Sequence, residues 1–135
     1  MANALYDKGR EGFLDGSIDF DTNTIAIIFV DEADDTIDLA VDDNYDDRAA
    51  ASRVGTLTNL ASKTVTAGVA DAADTVMTAV TGDVSESLDM LKDSGVESTS
   101  RLICNIDTAT GLPVTPNGGD ITVAWDSGAN KIFKL

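Results

Sequence analysis

The sequence predicts a mainly β protein, either an antiparallel β-sandwich or a small barrel, with a short N-terminal helix. Three observations lead to this fold class. Seven to nine short runs of β-branched and apolar residues are separated by turn residues. The 135 residues are 43% hydrophobic, which suits a folded domain with a core of its own. Neither a repeat nor a linker interrupts the chain, so residues 1–135 are expected to form a single β-rich domain.

The N-terminal segment ANALYDKGREGFLD (2–15) predicts the helix. Asn3 is a candidate N-cap, because its short polar side chain can accept a hydrogen bond from the first turn. Gly9 and Gly12 weaken the helix by about 1 kcal/mol each. We therefore expect this helix to need a surface on which to dock.

Apolar side chains on one broad face of this helical segment, residues 1–16, are the candidate partner-contact residues. They are Tyr6, Phe13 and Leu14. The face can pack back on its own domain, or it can dock on another subunit, where the contact would order it. The sequence leaves both interpretations open.

The first predicted strand is TIAIIFVD (24–31), an almost unbroken apolar run of the kind that is buried on both faces of a sheet. Inside the acidic stretch that follows, TIDLAV (36–41) alternates with period two. Such alternation predicts a short strand or an extended segment, anchored by Ile37, Leu39 and Val41, with its carboxylates turned outward.

Further elements follow toward the C-terminus. Residues 44–53 predict one or two helical turns capped by Asn44. The segments TLTNL, KTVTAGVAD and DTVMTAVTGD each predict a strand that ends in a turn. SLDMLKDSG (87–95) suits a strand or a helical turn, and a strand is favoured because its neighbours are strands. Residues 101–108 predict a strand with these apolar residues on one face: Leu102, Cys104 and Ile106.

The last third of the chain predicts a β-meander. The turn NGGD precedes ITVAWD, and the turn SGAN precedes the final KIFKL. Ile121, Val123 and Trp125 alternate, so Trp125 is expected to be a core residue rather than a ligand platform.

The acidic stretch DEADDTIDLAVDDNYDD (31–47) holds nine carboxylates in seventeen positions and no basic residue. Counted from Asp42, the EF-hand spacing places Asp42, Asn44 and Asp46 at loop positions 1, 3 and 5. Position 6 then lacks the glycine, and position 12 is Arg53 instead of glutamate, so the stretch is not an EF-hand. A solvated acidic face, an irregular Ca²⁺ site and a contact with a basic partner stay open.

The composition argues against most enzymes and against several partners. The chain has no histidine, which removes the triads built on that residue, and its one cysteine, Cys104, lies in an apolar run typical of a core. No phosphate-binding motif occurs, and the net charge of −15 disfavours nucleic acid and anionic membranes as partners. Neither a signal peptide nor a run long enough to span a membrane is found, so we expect a cytoplasmic protein without catalytic activity or cofactor.

Both ends of the chain resemble a group of small virion structural proteins of tailed bacteriophages. The resemblance lies in MANALYDKGREGFLDGSIDFDTNTIAIIFVD and in TSRLICNIDTATGLPVTPNGGDITVAWDSGANKIFKL, the first 31 and the last 37 residues. It implies a capsid decoration, or cement, protein that binds the outer surface of the major capsid protein and stabilises the head. It also implies a homo-oligomer, with a trimer favoured, that is found in host cytoplasm before assembly and on the virion afterwards. A tail, neck or fibre-associated component is the alternative.

Overall fold

A computed structural model describes residues 3–135; residues 1 and 2, at the start of the predicted helical segment, lie outside the described residues. The described part contains one α-helix, ten strands and three single 3₁₀ turns. These elements are β1 Ala4–Leu5, α1 Asp7–Asp15, β2 Ile25–Val30, the 3₁₀ turns Tyr45–Asp47 and Ala50–Ser52, β3 Arg53–Asn59, β4 Thr64–Thr66, β5 Val69–Asp71, β6 Thr75–Met77, β7 Ser87–Lys92, the 3₁₀ turn Glu97–Thr99, β8 Leu102–Ile106, β9 Ile121–Val123 and β10 Phe133–Lys134. The prediction of a mainly β fold with a helix near the N-terminus is confirmed, and the described strands form antiparallel sheets without closing into a barrel.

The strands form one large and two small sheets. The large sheet has the order β1-β8-β7-β2-β3, and the small ones are β10-β5-β4 and β6-β9. One face of the large sheet packs on residues from both small sheets, which gives the main core. This arrangement places two layers of sheet around a core of mostly aliphatic side chains, as the composition suggests.

Strand β2 is buried along its whole length, as the sequence predicts. Ile25, Ile27 and Phe29 point into the main core. Ile28 points to the opposite face, where it joins a second, smaller core. No sheet covers that face among residues 3–135; the segment 31–52 lies over it instead.

Of the two alternatives predicted for 36–41, the short strand is wrong, because local side-chain hydrogen bonds fold its second half into a turn, although Ile37 and Leu39 do pack on the second core. The Asp38 carboxylate accepts the N–H of Ala40, and the Asp42 carboxylate accepts the N–H of Asp38. Asp38 and Asp42 also share a backbone hydrogen bond. Aspartate competes in this way with strand ladders. As a result Ile37 is half-buried, whereas Val41 is 70% exposed.

Strand β8 forms where the sequence predicts a strand, but Leu102 and Cys104 do not share one face as predicted. Its pairing with β7 shifts by one residue between the contacts of Met90 and Leu91. Leu102 therefore lies in the second core, and Cys104 lies in the main core. An irregularity of this kind moves side chains to the other face of a sheet. Burial raises the pKa of the Cys104 thiol, which keeps it protonated, as expected of a core residue.

Two predicted strands also pair differently from the expectation. Strand β9 pairs with β6 and strand β10 with β5, so ITVAWD and KIFKL do not form a meander with each other. The N–H of Trp125 donates to the carboxylate of Asp74, which directs the chain away after β9. KTVTAGVAD is a hairpin rather than one strand, because Ala67 and Gly68 both have positive φ and form its turn.

Helix α1 begins later than predicted and docks on β8. Asn3 does not cap it; its side chain instead bonds the backbone of Asp107 and Thr108. Gly9 rests directly on the backbone of Ile103, where a Cβ atom would lie 2.6 Å from the Ile103 carbonyl oxygen. The glycine that weakens the helix thus permits its close approach to the sheet. No helix in the described range has the length and apolar character required to cross a membrane.

Candidate functional site

The acidic segment folds around one buried cation, the guanidinium of Arg48. This side chain is 0% exposed. Its Nη1 lies 2.9 Å from Asp35 Oδ2, its Nη2 contacts the Asp42 carboxylate, and its Nε lies 3.0 Å from Asp89 Oδ2. The Asp35 carboxylate also accepts the N–H of Ala49. Arg48 therefore ties two turns of the acidic segment to the large sheet.

Asp89 is the point at which this network meets the sheet. The Tyr6 hydroxyl donates to Asp89 Oδ1 at 2.7 Å, and the Asn105 amide donates to the same oxygen at 3.0 Å. Burial raises the pKa of the Asp89 carboxyl to about 6, although Arg48, Asn105 and Tyr6 all act to lower it. Asp89 is therefore ionised at neutral pH and balanced by Arg48. Burial and the charge of Asp89 also raise the pKa of Tyr6, which stays a neutral hydrogen-bond donor.

The position of Asp89 follows from the alternation of β7. Leu88 and Met90 point into the main core, whereas Asp89 and Leu91 point to the opposite face. A carboxylate in the middle of a buried strand requires a partner, because an isolated buried charge is strongly unfavourable. Arg48 is that partner, and because it also binds Asp35 and Asp42, its pairing with Asp89 holds the acidic segment against the sheet.

A second arginine, Arg53, also binds the acidic segment, through its backbone and the Tyr45 ring. Arg53 donates to the carbonyl oxygens of Tyr45 and Arg48, and its guanidinium lies 4.0 Å from the centre of the Tyr45 ring. Its Nη1 also bonds Glu97 at 2.8 Å. Together with Arg48, it fixes the two 3₁₀ turns over the second core. The ion pairs of Arg48 stabilise the fold rather than form a binding site. The side chains of Arg48 and Asp89 have no exposed surface that could contact a substrate.

Among residues 3–135, one group of carboxylates lies close enough together to hold a cation, and it differs from the group that loop spacing suggested. Asp31, Asp34 and Asp83 have carboxylate oxygens within 4.8 Å of one another. Asp31 is buried and also accepts the N–H of Ala33. Asp83 follows β6 and is remote in sequence, so no spacing rule could have included it.

The residues predicted for the irregular Ca²⁺ site have other roles. Asp42 pairs with Arg48, and Asp47 accepts the N–H groups of Asp43 and Asn44. Only Asp46 of the predicted acidic ligands extends into solvent without such a partner among the bonds of the described residues. The structure thus does not bring the predicted ligand set together.

The three candidate partner-contact residues lie in three different environments. Tyr6 is fully buried beside Asp89, so its side chain is not available to another molecule. Phe13 is half-buried and packs edge-on against Phe133, with 5.8 Å between ring centres. Leu14 is 89% exposed. Leu14 and the outer part of Phe13 are therefore the accessible members.

Phe13 also lines a surface cleft, which we call the aromatic cleft. Its apolar side chains are Phe13, Ile18, Phe20, Val65, Ala70, Phe133 and Leu135. Phe20 packs edge-on against Phe133 at 5.7 Å, as Phe13 does from the other side. Two exposed carboxylates, Asp19 and Asp21, lie at the rim, and none of the described residues that line it is basic.

No family model and no curated protein sequence matches this chain. The virion family expected from the two terminal segments therefore stays a prediction.

Proposed function

We propose that this chain is a structural protein of a tailed-phage virion, and specifically a decoration protein that binds the outer surface of the major capsid protein. The observation that carries the proposal is the resemblance of residues 1–31 and 99–135 to small virion proteins of tailed phages. These two segments are in contact in the fold. Strand β1 pairs with β8, and Phe13 and Phe20 both pack on Phe133. The resemblance therefore follows one continuous part of the molecule.

The charge of the chain fits a protein exposed on a particle surface. A net charge of −15 disfavours association with nucleic acid and keeps coated particles dispersed. Three carboxylates contact the single positive charge of Arg48, whereas many others face solvent. Weak contacts to a capsid, repeated by symmetry, would add up to firm attachment. Copies of the chain would form a closed oligomer, with a trimer favoured.

The proposal predicts where the protein is found in a purified particle. We expect mass spectrometry of separated heads and tails to detect it in heads, on the order of hundreds of copies for each particle. Detection in tails alone, at roughly three, six or twelve copies, would favour the tail, neck or fibre alternative. Absence from both fractions would reject a virion role.

A Ca²⁺-dependent binding module is the second candidate function, because Asp31, Asp34 and Asp83 lie close enough together to share an ion. For such a module, Ca²⁺ should raise the melting temperature of the wild type, and calorimetry should detect binding. Asp83→Asn should abolish both effects. Asp46→Asn, which removes an equally exposed charge outside the group, should retain them. A wild-type protein that gives neither heat nor a melting shift excludes this function.

A further inference from the structure

The aromatic cleft has an accessible apolar floor that the fold itself does not cover. Phe13 and Phe133 are only half-buried, and Val65 is half exposed at the margin. Phe13, Phe20 and Phe133 pack edge-on, which holds the floor in a defined shape. Apolar side chains that remain accessible in a preformed cleft are typical of binding surfaces.

The rim of the cleft carries two carboxyl groups, those of Asp19 and Asp21. The carboxyl groups of Asp19 and Asp21 are in contact, and this contact raises the pKa of Asp21 and lowers that of Asp19. The positive charge of Lys63 lowers the pKa of Asp21 to a smaller extent. Two carboxylates forced together beside an apolar floor favour a ligand that brings a cation with an apolar group.

An unpaired strand edge lies beside the same cleft. Strand β4 pairs with β5 on one side, and its other side has no ladder partner in the part of the chain that the structure describes. Val65, at the centre of β4, lines the cleft. An extended segment placed along this edge can hydrogen-bond to β4 while one of its side chains enters the cleft.

The apolar floor, the acidic rim and the unpaired edge of β4 together favour one kind of ligand. A second copy of this chain is disfavoured as the occupant of this cleft, because it would bring the same strong negative charge to an acidic rim, so a homo-oligomer would form through other surfaces. We propose that the aromatic cleft binds an extended segment of another protein in which an apolar side chain lies next to lysine or arginine. If the chain is a virion protein, the partner is a capsid protein, and this identity rests on the proposed function. The chemistry of the bound segment rests on the cleft alone.

The test uses the full chain, labelled with ¹⁵N, and three blocked peptides. The first, acetyl-KVRFK-amide, combines apolar and basic residues. In the second, acetyl-EVEFE-amide, the charges are reversed, and in the third, acetyl-KSRSK-amide, the apolar residues are replaced. We expect the first peptide to cause saturable shifts in the amide signals of residues 13–21 and 64–70, and added salt to weaken its binding. The other two peptides should bind at least about threefold more weakly.

Matched variants distinguish peptide binding at the cleft from general effects of net charge and surface hydrophobicity. The double variant Asp19→Asn/Asp21→Asn should weaken binding of the first peptide by about threefold or more. The control Asp46→Asn/Asp126→Asn removes two exposed charges outside the cleft and outside the candidate cation group, and it should bind as the wild type does. Val65→Thr should weaken binding, whereas Val41→Thr, at another exposed valine, should not.

Each outcome bears on the proposal. Shifts confined to other surfaces, equal binding of the three peptides, or no saturable shifts would overturn it. Loss of binding in both double variants would also overturn it, because net charge alone would then explain the result. If the protein is absent from virions but the cleft binds as described, the virion function fails and the cleft assignment stands.

Discussion

Replacing Arg48 with methionine is expected to lower the free energy of unfolding by about 3–5 kcal/mol near neutral pH. Methionine fills much of the same volume but cannot balance the carboxylates of Asp35, Asp42 and Asp89. Asp89 has no access to water, so its charge would be buried without a counter-ion. Urea unfolding followed by circular dichroism measures the change.

The loss should also depend on pH in a defined direction. In the wild type the folded pKa of Asp89 is about 6, above its ordinary value of 3.8. Arg48 acts to lower it, so the variant should have a still higher folded pKa. A folded state that binds a proton more tightly than the unfolded chain loses stability as the pH rises toward the folded pKa. The difference between variant and wild type should therefore grow as the pH rises above about 6.

Arg10→Met is the matched control for Arg48→Met. Arg10 pairs with Asp7 on the exposed side of α1, and such a surface pair contributes about 1 kcal/mol or less. The control should be nearly as stable as the wild type at every pH. Equal losses in the two variants, or a loss at Arg48 that does not change with pH, would contradict the role assigned to the buried network.

Gly9→Ala is expected to destabilise the protein by about 1–3 kcal/mol, because the new methyl group would meet backbone atoms that cannot move aside. The Cβ atom would lie 2.6 Å from the carbonyl oxygen of Ile103 and 2.9 Å from its Cα atom. The helix must then move away from β8. This cost should exceed the gain of about 1 kcal/mol that alanine brings to an isolated helix. Thermal unfolding provides the measurement.

Gly12→Ala provides the comparison on the same helix. Its Cβ atom would lie 2.5 Å from Cδ1 and 2.7 Å from Cγ1 of Ile18, so the obstacle there is a buried side chain that can repack, whereas at Gly9 it is backbone. The gain in helix propensity is the same as at Gly9, so the difference between the two variants isolates the contact with β8. If Gly9→Ala is as stable as Gly12→Ala, the helix is not held against the sheet as described.

The parts of the fold that were predictable from sequence are those set by local pattern. The apolar run at 24–31 forms β2, and SLDMLK forms β7 in spite of its two charged residues. Alternation at 36–41 did not produce a strand, because the carboxylates of Asp38 and Asp42 hydrogen-bond to backbone N–H groups of the same segment. The pairings of β9 and β10 join segments far apart in sequence, and no local pattern specifies such partners.

The candidate site was predictable only in part. The density of carboxylates at 31–47 was evident, but the cation that organises them, Arg48, was not. Its role depends on Asp89, which occupies a different strand. The exposed position of Leu14 fits the predicted partner-contact face, whereas the burial of Tyr6 could not be read from helical periodicity, because Tyr6 precedes the helix. The acidic rim of the aromatic cleft likewise required the fold to bring residues 19–21 beside β4 and β10.

The segment 31–52 takes the place that a sheet or helix would occupy in a three-layered protein. It contains no strand and no α-helix, yet it covers Ile28, Leu91 and Leu102. Surface loops usually tolerate changes in length because little packs beneath them. Here a deletion or an inserted tag would uncover apolar side chains and separate Arg48 from Asp89. This segment is thus constrained in length like a core element, and related chains should vary in length elsewhere, at exposed turns such as 126–131.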